Sequence, residues 1–457
     1  MNAILAFNDW LNGIVWGPPF MVLLMGTGLY LTIRLGFFQF VKLGLSWRQS
    51  FGRFFKKTKE GEEGAISSFQ AVSSAMAATI GVGNIAGVST AIALGGPGAV
   101  FWMWMSALVG MATKFGEASL GVKFRNVEAD GEINGGVMFY IEKGLGSGWK
   151  WLAVVYALLA GIAALGIGNM VQANTMAASL EQFGIPPAVT GVGAIILVGL
   201  VILGGIKRIG QTAEKIVPFM AIVYIIGSLV VILSNVGEVG NAFGAIFYYA
   251  FNPHAAAGGF AGSAVAATVR FGIARGIFSN EAGLGAASIV HAQAKNSPTR
   301  QGMWGIWEVF IDTIIVCTMT ALVILVTGAL YIESPDGGGL TGGVLASAAF
   351  TRGLPGPGGA IVLLGLVLFS YTTMLTWSFY GEKSWEYIFG KKIIVPYRVL
   401  FLIFLLIGAV GGLEFIWSLA DTMNGLMAAP NLIALLVLAG VLVKEKNDYM
   451  NSPESKQ

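Results

Sequence analysis

The sequence predicts an all-α polytopic membrane protein of eleven transmembrane helices, the last ten forming a 5+5 inverted repeat with a broken first helix in each half. Three observations carry this. Of 457 residues, 55% are hydrophobic and only 11% charged, against about 25% charged for a water-soluble domain. Apolar stretches of about 20 residues, each able to cross roughly 30 Å of hydrocarbon as a helix, recur from near the N-terminus to Val443. Two of these stretches, at corresponding positions in the two halves, are interrupted by glycine and polar residues.

The hydrophobic runs, bounded by charged or Gly/Pro-rich borders, place spans at 14–35, 67–94, 99–121, 151–183, 188–206, 216–235, 262–292, 305–330, 359–389, 396–411 and 414–443. This divides the chain into an outer N-terminus (1–13), an accessory helix (14–35), a basic cytoplasmic loop (36–66), a first repeat (67–235), an outer connection (236–261), a second repeat (262–443) and a cytoplasmic tail (444–457). The opening segment has no Lys or Arg, so it lacks the basic start of a secretory signal peptide, and the first helix is expected to stay in the mature protein.

Orientation follows from the basic residues, which short cytoplasmic loops retain. The first connection holds Arg48, Arg53, Lys56, Lys57 and Lys59, and alternate connections after it repeat the excess. The opposite set holds Arg352 alone. The N-terminus is therefore expected outside and the C-terminus in the cytoplasm, in a cell membrane. Ten helices after the accessory one then divide into two fives of opposite orientation.

In the second span the interruption runs through Thr79, Ile80, Gly81, Val82, Gly83 and Asn84. In the seventh it runs from Arg270 through Gly272, Arg275, Gly276, Ser279, Asn280 and Glu281 to Gly283. Glycine also serves close helix packing in membranes. Paired interruptions in opposite orientation point instead to a midplane site, because unwound backbone is tolerated there only where it lines a cavity. A half-helix that starts at a break offers N–H groups and a positive dipole end, suited to a carboxylate; one that ends there offers carbonyls, suited to a cation. Val82 and Gly83 are thus candidates for a substrate carboxylate, and the carbonyls of Ala77 and Ile80 for a cation. A zwitterionic amino acid with sodium fits both ends.

Adjacent hydroxyls at Thr372 and Thr373, with Ser370 nearby, can complete a cation site or simply bond their own preceding turn. Gln172, with Asn169 and Asn174, is either glue between helices or a substrate-facing amide. Phe278 and Trp377 can wall a small pocket, or pack. Arg270, Arg275, Glu281, Glu308, Asp312 and Asp421 lie in or near apolar stretches, and Glu308 and Asp312 share a helix face from which they could oppose the arginines. Ion pairing and gating is the reading preferred for this group.

The first break contains no Asp, Glu or His, while His254 falls in an outer loop and His291 at an inner helix end, which favours sodium over a proton. A lone buried cysteine, Cys317, and two distant histidines argue against a metal cluster, a disulfide or an intramembrane enzyme, and no cofactor is expected. The net charge of +3 gives no case for nucleic acid. A channel would show a continuous polar stripe rather than two broken helices. Composition alone leaves open a transporter of the same architecture for another small solute such as a nucleobase. It does not address oligomeric state.

The runs GGPGAVFWMWMSALVG (95–110), ATIGVGNIAGV (78–88) and ARGIFSNEAGLG (274–285) closely resemble the alanine or glycine:cation symporter family. The resemblance covers nearly the whole chain. It implies a leucine-transporter-like fold importing alanine or glycine with sodium by alternating access. It also implies a substrate site around Thr79, Gly81, Val82, Gly83, Asn84, Gln172, Gly276, Ile277, Phe278, Ser279 and Trp377, with sodium at Ala77, Ile80, Thr372 and Thr373.

Overall fold

The computed structural model describes residues 2–53, 64–129, 131–252, 265–334, 338–411 and 414–456. Lys56, Lys57, Lys59, His254 and the expected start of the seventh span at Gly262 lie outside them. Helix follows helix throughout: α1 (Asn2–Val15), α2 (Pro18–Arg34), α3 (Ser68–Thr79), α4 (Val88–Gly95), α5 (Ala99–Lys123), α6 (Lys150–Leu165), α7 (Val171–Glu181), α8 (Pro187–Ile202), α9 (Gly205–Ser234) and α10 (Val236–Phe251). The second half comprises α11 (Val265–Asn280), α12 (Ala287–His291), α13 (Pro298–Val309), α14 (Thr318–Val326), α15 (Gly342–Gly353), α16 (Gly358–Phe389), α17 (Ile394–Val410), α18 (Glu414–Val437) and α19 (Ala439–Asn451). A two-stranded hairpin, β1 (Asn126–Val127) against β2 (Ile133–Asn134), follows α5.

Local chemistry sets the helix ends. Ser67 and Gln70 form a capping box at α3, each side chain bonding the other's backbone N–H at 3.1 Å. Proline opens α2, α8 and α13, where its missing N–H costs nothing. Gly390, at φ 73°, terminates α16 in a conformation that disfavours any side chain.

Among the described residues seven helical segments are long and apolar enough to cross a membrane, and the bent α3–α4 pair makes an eighth. The other three expected spans fall short for physical reasons. Helix α5 carries Lys114 and Glu117 within its apolar run, α8 has only 16 residues, and the α11–α12 segment is broken. The segment expected to precede the first span is itself helical: α1 packs on α18 through Asn8 to Ser418 (2.7 Å) and Asn12 to Thr422 (3.0 Å). The connection after α9 likewise contains α10.

The seventh span differs from expectation in where it breaks. Helix α11 runs unbroken through Gly276 and Ser279 to Asn280, and the interruption is confined to 281–286. There Glu281 (φ 56°), Gly283 (φ 103°) and Gly285 (φ 80°) are left-handed, which ends the helix.

The expected pairing of Glu308 and Asp312 with the arginines is also corrected. Glu308 instead faces Lys114 of α5 at 3.1 Å and His291 of α12 at 2.9 Å, all with side chains 0% exposed. Asp312 turns to Asn84 and Ser279, and Arg275 pairs with Asp421 at 3.7 Å. The reason is reach: α5 packs along both α11 and α13, so its Lys114 is the cation that lies inside the bundle, whereas Arg270 is exposed.

On the side of the basic loops, Lys383 lies 2.5 Å from Glu132 and 2.8 Å from Glu386, and Lys391 lies 2.6 Å from the other Glu132 oxygen. Burial opposes ionisation of Glu132, but the hydrogen bonds from the two lysines outweigh it and hold the carboxyl below its usual range. A depressed carboxyl stabilises the folded state at and above neutral pH, and that contribution is lost as pH falls through the lowered value.

Lys114→Met leaves buried Glu308 with His291 but without its lysine, and should cost about 3–5 kcal/mol. Thermal unfolding in detergent checks this, with Lys114→Met/Glu308→Gln expected to recover part of the loss; an unchanged melting temperature for the single variant would contradict the assignment.

Candidate functional site

The site begins where α3 stops. Thr79 is its last residue, Ile80 leaves helical geometry (φ −75°, ψ 83°), and the chain re-enters helix through a wide π-type turn at Gly83–Gly87. The two halves are bent by 46°. Asn84 pins the break: its Oδ1 accepts from Gly81 N–H at 2.8 Å, and its Nδ2 donates to Asp312 Oδ1 at 2.7 Å. Both glycines sit at a close approach. A Cβ on Gly81 would stand 2.8 Å from Thr373 Oγ1, and one on Gly83 would stand 3.2 Å from Phe278 Cδ1 and from Ser279 Cα. The N–H groups of Val82 and Gly83 belong to the first turn of the second half-helix, which has no carbonyl of its own preceding turn to bond.

The second break is built differently. Glu117 of α5 reaches into it, one carboxylate oxygen accepting from Gly283 N–H (2.8 Å), Gly285 N–H (3.1 Å) and Asn431 Nδ2 (2.7 Å). Asn431 in turn donates to Gly283 O at 2.8 Å and accepts from the Tyr140 hydroxyl. The protein thus supplies its own anion to the freed amides of this break.

Between the two breaks lies a cavity of about 20 Å³, lined by Ala78, Thr79, Gly81, Val82, Gly83, Ile167, Gln172, Phe278, Glu281, Thr373, Trp377 and Asn424. Eight of these lining residues, Thr79, Gly81, Val82, Gly83, Gln172, Phe278, Thr373 and Trp377, are ones the sequence singles out for substrate or cation. They come from α3, α7, α11 and α16 and from the breaks. Gly168 permits this: a Cβ there would stand 2.3 Å from Trp377 Cβ, so only glycine lets the indole close the wall.

The remaining candidates lie just outside the cavity wall. Ala77 is reached through its carbonyl, which accepts from Thr373 Oγ1 at 3.0 Å, and Thr376 repeats the bond one turn on to Ser74 O at 2.9 Å. Thr372 faces α9 instead, its hydroxyl donating to Leu368 O at 3.0 Å and lying 3.6 Å from Met220 Sδ. Ile80 and Ile277 are buried. Gly276 allows α11 to meet α5, where a Cβ would come 2.5 Å from Ser106 Oγ, and Ser279 donates to Asp312 at 2.9 Å. Asn84, Ser279 and Asp312 therefore form one buried polar knot behind the first break.

Lys114, Glu117, Ile167 and Asn424 were not singled out by the sequence reading. Lys114, Glu117 and Asn424 carry the same signal as Asp312, a polar or ionisable side chain inside an apolar run, and that criterion would have found them. Ile167 carries no such signal.

Val82 and Phe278 also form part of the wall of a second, larger cavity of about 510 Å³, which extends past Thr90, Asn174, Gln182, Ser347 and Thr351. Arg275 lines it as well, its guanidinium 5.4 Å from the Phe278 ring centre. Phe278 and Val82 thus stand between a vestibule and the small central cavity.

Comparison with known proteins agrees with this architecture. The model of the sodium:alanine symporter family matches residues 1–457. The sodium/alanine symporter AgcS of Methanococcus maripaludis is 49% identical over 443 residues, covering 96% of this chain and 95% of the relative. The putative sodium/proton-dependent alanine carrier protein YrbD of Bacillus subtilis is 40% identical over 453 residues, covering 96% and 91%. Among solved structures, MhsT in complex with L-phenylalanine superposes with a TM-score of 0.59 at 14% identity, over 87% of this chain and 95% of that one, a likeness of fold. A multi-pass, leucine-transporter-like chain that matches one family from end to end is a transporter and not an enzyme, and this chain belongs to the sodium:alanine symporter family.

Proposed function

We propose that the protein imports alanine or glycine together with sodium, the two binding in the small cavity between the helix breaks. One observation carries the reading: a cavity enclosed by unwound backbone, hydroxyl, amide and aromatic groups drawn from both halves of the repeat. The N–H groups of Val82 and Gly83 receive the substrate carboxylate. Thr79, Gln172, Phe278 and Trp377 enclose the rest, and Gly276, Ile277 and Ser279 hold α11 and Phe278 in register from behind.

Sodium is assigned to the carbonyl end of the same break. The carbonyls of Ala77 and Ile80 and the hydroxyl of Thr373 are its nearest oxygens, with Thr372 brought in by rotation from its own preceding turn. The Thr373–Ala77 bond already sets two of these oxygens 3.0 Å apart. A hard cation is satisfied by such neutral oxygens when several converge.

The cavity holds little more than a water-sized group. A whole amino acid requires Phe278 to swing, and the small volume suits glycine and alanine better than larger side chains. The vestibule lies on the side away from the basic loops, so in the proposed orientation, N-terminus outside and C-terminus cytoplasmic, access is from outside. Sodium and substrate together favour the closed state, because a ligand shifts such an equilibrium only by its differential affinity. The inner side is held shut by Lys383, Glu132, Glu386 and Lys391.

Liposomes containing purified protein, loaded with inward sodium, potassium or proton gradients in turn, should accumulate labelled alanine or glycine only with sodium. Accumulation driven by protons alone would overturn the cation assignment. Thr373→Val removes an oxygen from a charged partner, an interaction worth about 1.5–3 kcal/mol, so the apparent sodium affinity should fall by roughly 10- to 100-fold. Gly83→Leu, which drives a side chain into Phe278, should abolish uptake while leaving the protein folded by size-exclusion chromatography.

A further inference from the structure

Three residues that line the central cavity each carry a buried oxygen without a partner: Glu281 Oε2, Gln172 Oε1 and Asn424 Oδ1. Their residues are 3%, 3% and 2% exposed, so water outside the fold does not satisfy them. Buried acceptors left unpaired cost stability, and a buried carboxylate without a countercharge costs more. Among the described residues Glu281 has no cation within ion-pair distance.

Two of the three are fixed so that one oxygen stays free. Trp377 Nε1 donates to Glu281 Oε1 at 3.0 Å, which orients the carboxylate and leaves Oε2 open. Gln172 Nε2 is held by Ile167 O at 3.0 Å, which leaves Oε1 open. Glu281 also adopts a left-handed backbone (φ 56°), a conformation that a side chain of this size takes only where the surroundings hold it there. The side chains come from α7, from the second break and from α18 and meet on one cavity.

A primary ammonium has three N–H donors and one positive charge, and no acceptor. The geometry points to Glu281, Gln172 and Asn424 as the site that receives the substrate's α-ammonium group, with the Glu281 carboxylate as its countercharge. This rests on the proposed transport of a small amino acid and deepens it. The cavity then has a donor wall at Val82 and Gly83 and an acceptor wall at Glu281, Gln172 and Asn424, the two charges of an α-amino acid facing one each.

The test compares alanine with lactate, which keeps the carboxylate and the methyl but replaces the ammonium by a hydroxyl. Binding of each to the purified full chain is measured in sodium for the unsubstituted protein, Glu281→Gln and Asn424→Ala. Sodium-induced thermal stabilisation without substrate serves as the control for folding and for the cation site. The expected result is that each variant loses at least tenfold in alanine affinity and narrows the alanine-to-lactate preference by a similar factor. A general structural defect would weaken both ligands equally, and equal weakening in both variants would overturn the assignment. So would an unchanged preference in variants that still bind alanine. If the unsubstituted protein binds no alanine in sodium, the transport reading itself falls, and this assignment with it. Should Glu281→Gln fail to fold, Asn424→Ala and Gln172→Ala decide the matter on the same ratio.

Discussion

Everything in this molecule depends on how backbone freed from a helix inside hydrocarbon finds its hydrogen bonds. Water cannot supply them there, and each orphaned group costs several kcal/mol by order of magnitude. The two breaks solve the problem in opposite ways. At the second, Glu117 provides a built-in acceptor for the Gly283 and Gly285 amides. At the first, Asn84 ties down Gly81 and anchors to Asp312, while the start of the following half-helix has no built-in anion. On the proposed reading, the missing acceptor is the substrate carboxylate, so the asymmetry between two related breaks is what assigns the carboxylate to the first.

Keeping Glu117 in place has a cost that the rest of the core offsets. It shares α5 with Lys114, and Lys114 meets Glu308, which meets His291, whose other ring nitrogen faces Gln301 at 2.7 Å. Buried ions are retained only where paired and hydrogen-bonded, and this chain of partners runs from the second break toward the basic face. It joins α5, α12 and α13. The polar knot of Asp312, Asn84 and Ser279 couples the first break to α11 in the same way. Cys317 and Thr313 complete the same knot, the first within reach of Asn84 and Ser279 and the second donating to Asp312 at 2.7 Å.

Much of this was legible in the sequence because the membrane leaves so few solutions. Span positions follow from length and hydropathy, glycine interruptions single out Gly81 and Gly83, and polar or aromatic side chains inside apolar runs single out Gln172, Phe278, Thr373 and Trp377, all of which line the central cavity. The rest depends on what faces what across the bundle. Periodicity shows that Glu308 lies on a helix but not that Lys114, rather than Arg275, stands opposite. The position of the second break also escaped the pattern: glycines at 272 and 276 signal interruption but serve packing on α5, where a Cβ at Gly272 would stand 2.4 Å from Ala99 O. The true break rests on a non-glycine residue, Glu281, in a left-handed conformation that no composition rule flags. Thr372 and Thr373 are equivalent in sequence, and only the rotation of α16 separates the one facing Met220 from the one facing Ala77.

Phe278 and Val82 are shared by the walls of the vestibule and the central cavity, and on the side of the basic loops Lys383 pairs with Glu132 and Glu386. The central claim is that substrate and sodium share the small cavity and not the larger vestibule. The most direct test is an experimental structure of the protein with alanine and sodium. The account predicts amino-acid density with its carboxylate on Val82 and Gly83 and the ion against Ala77 and Thr373; alanine seated instead in the vestibule beside Thr90 and Ser347, with the central cavity unchanged, would contradict it.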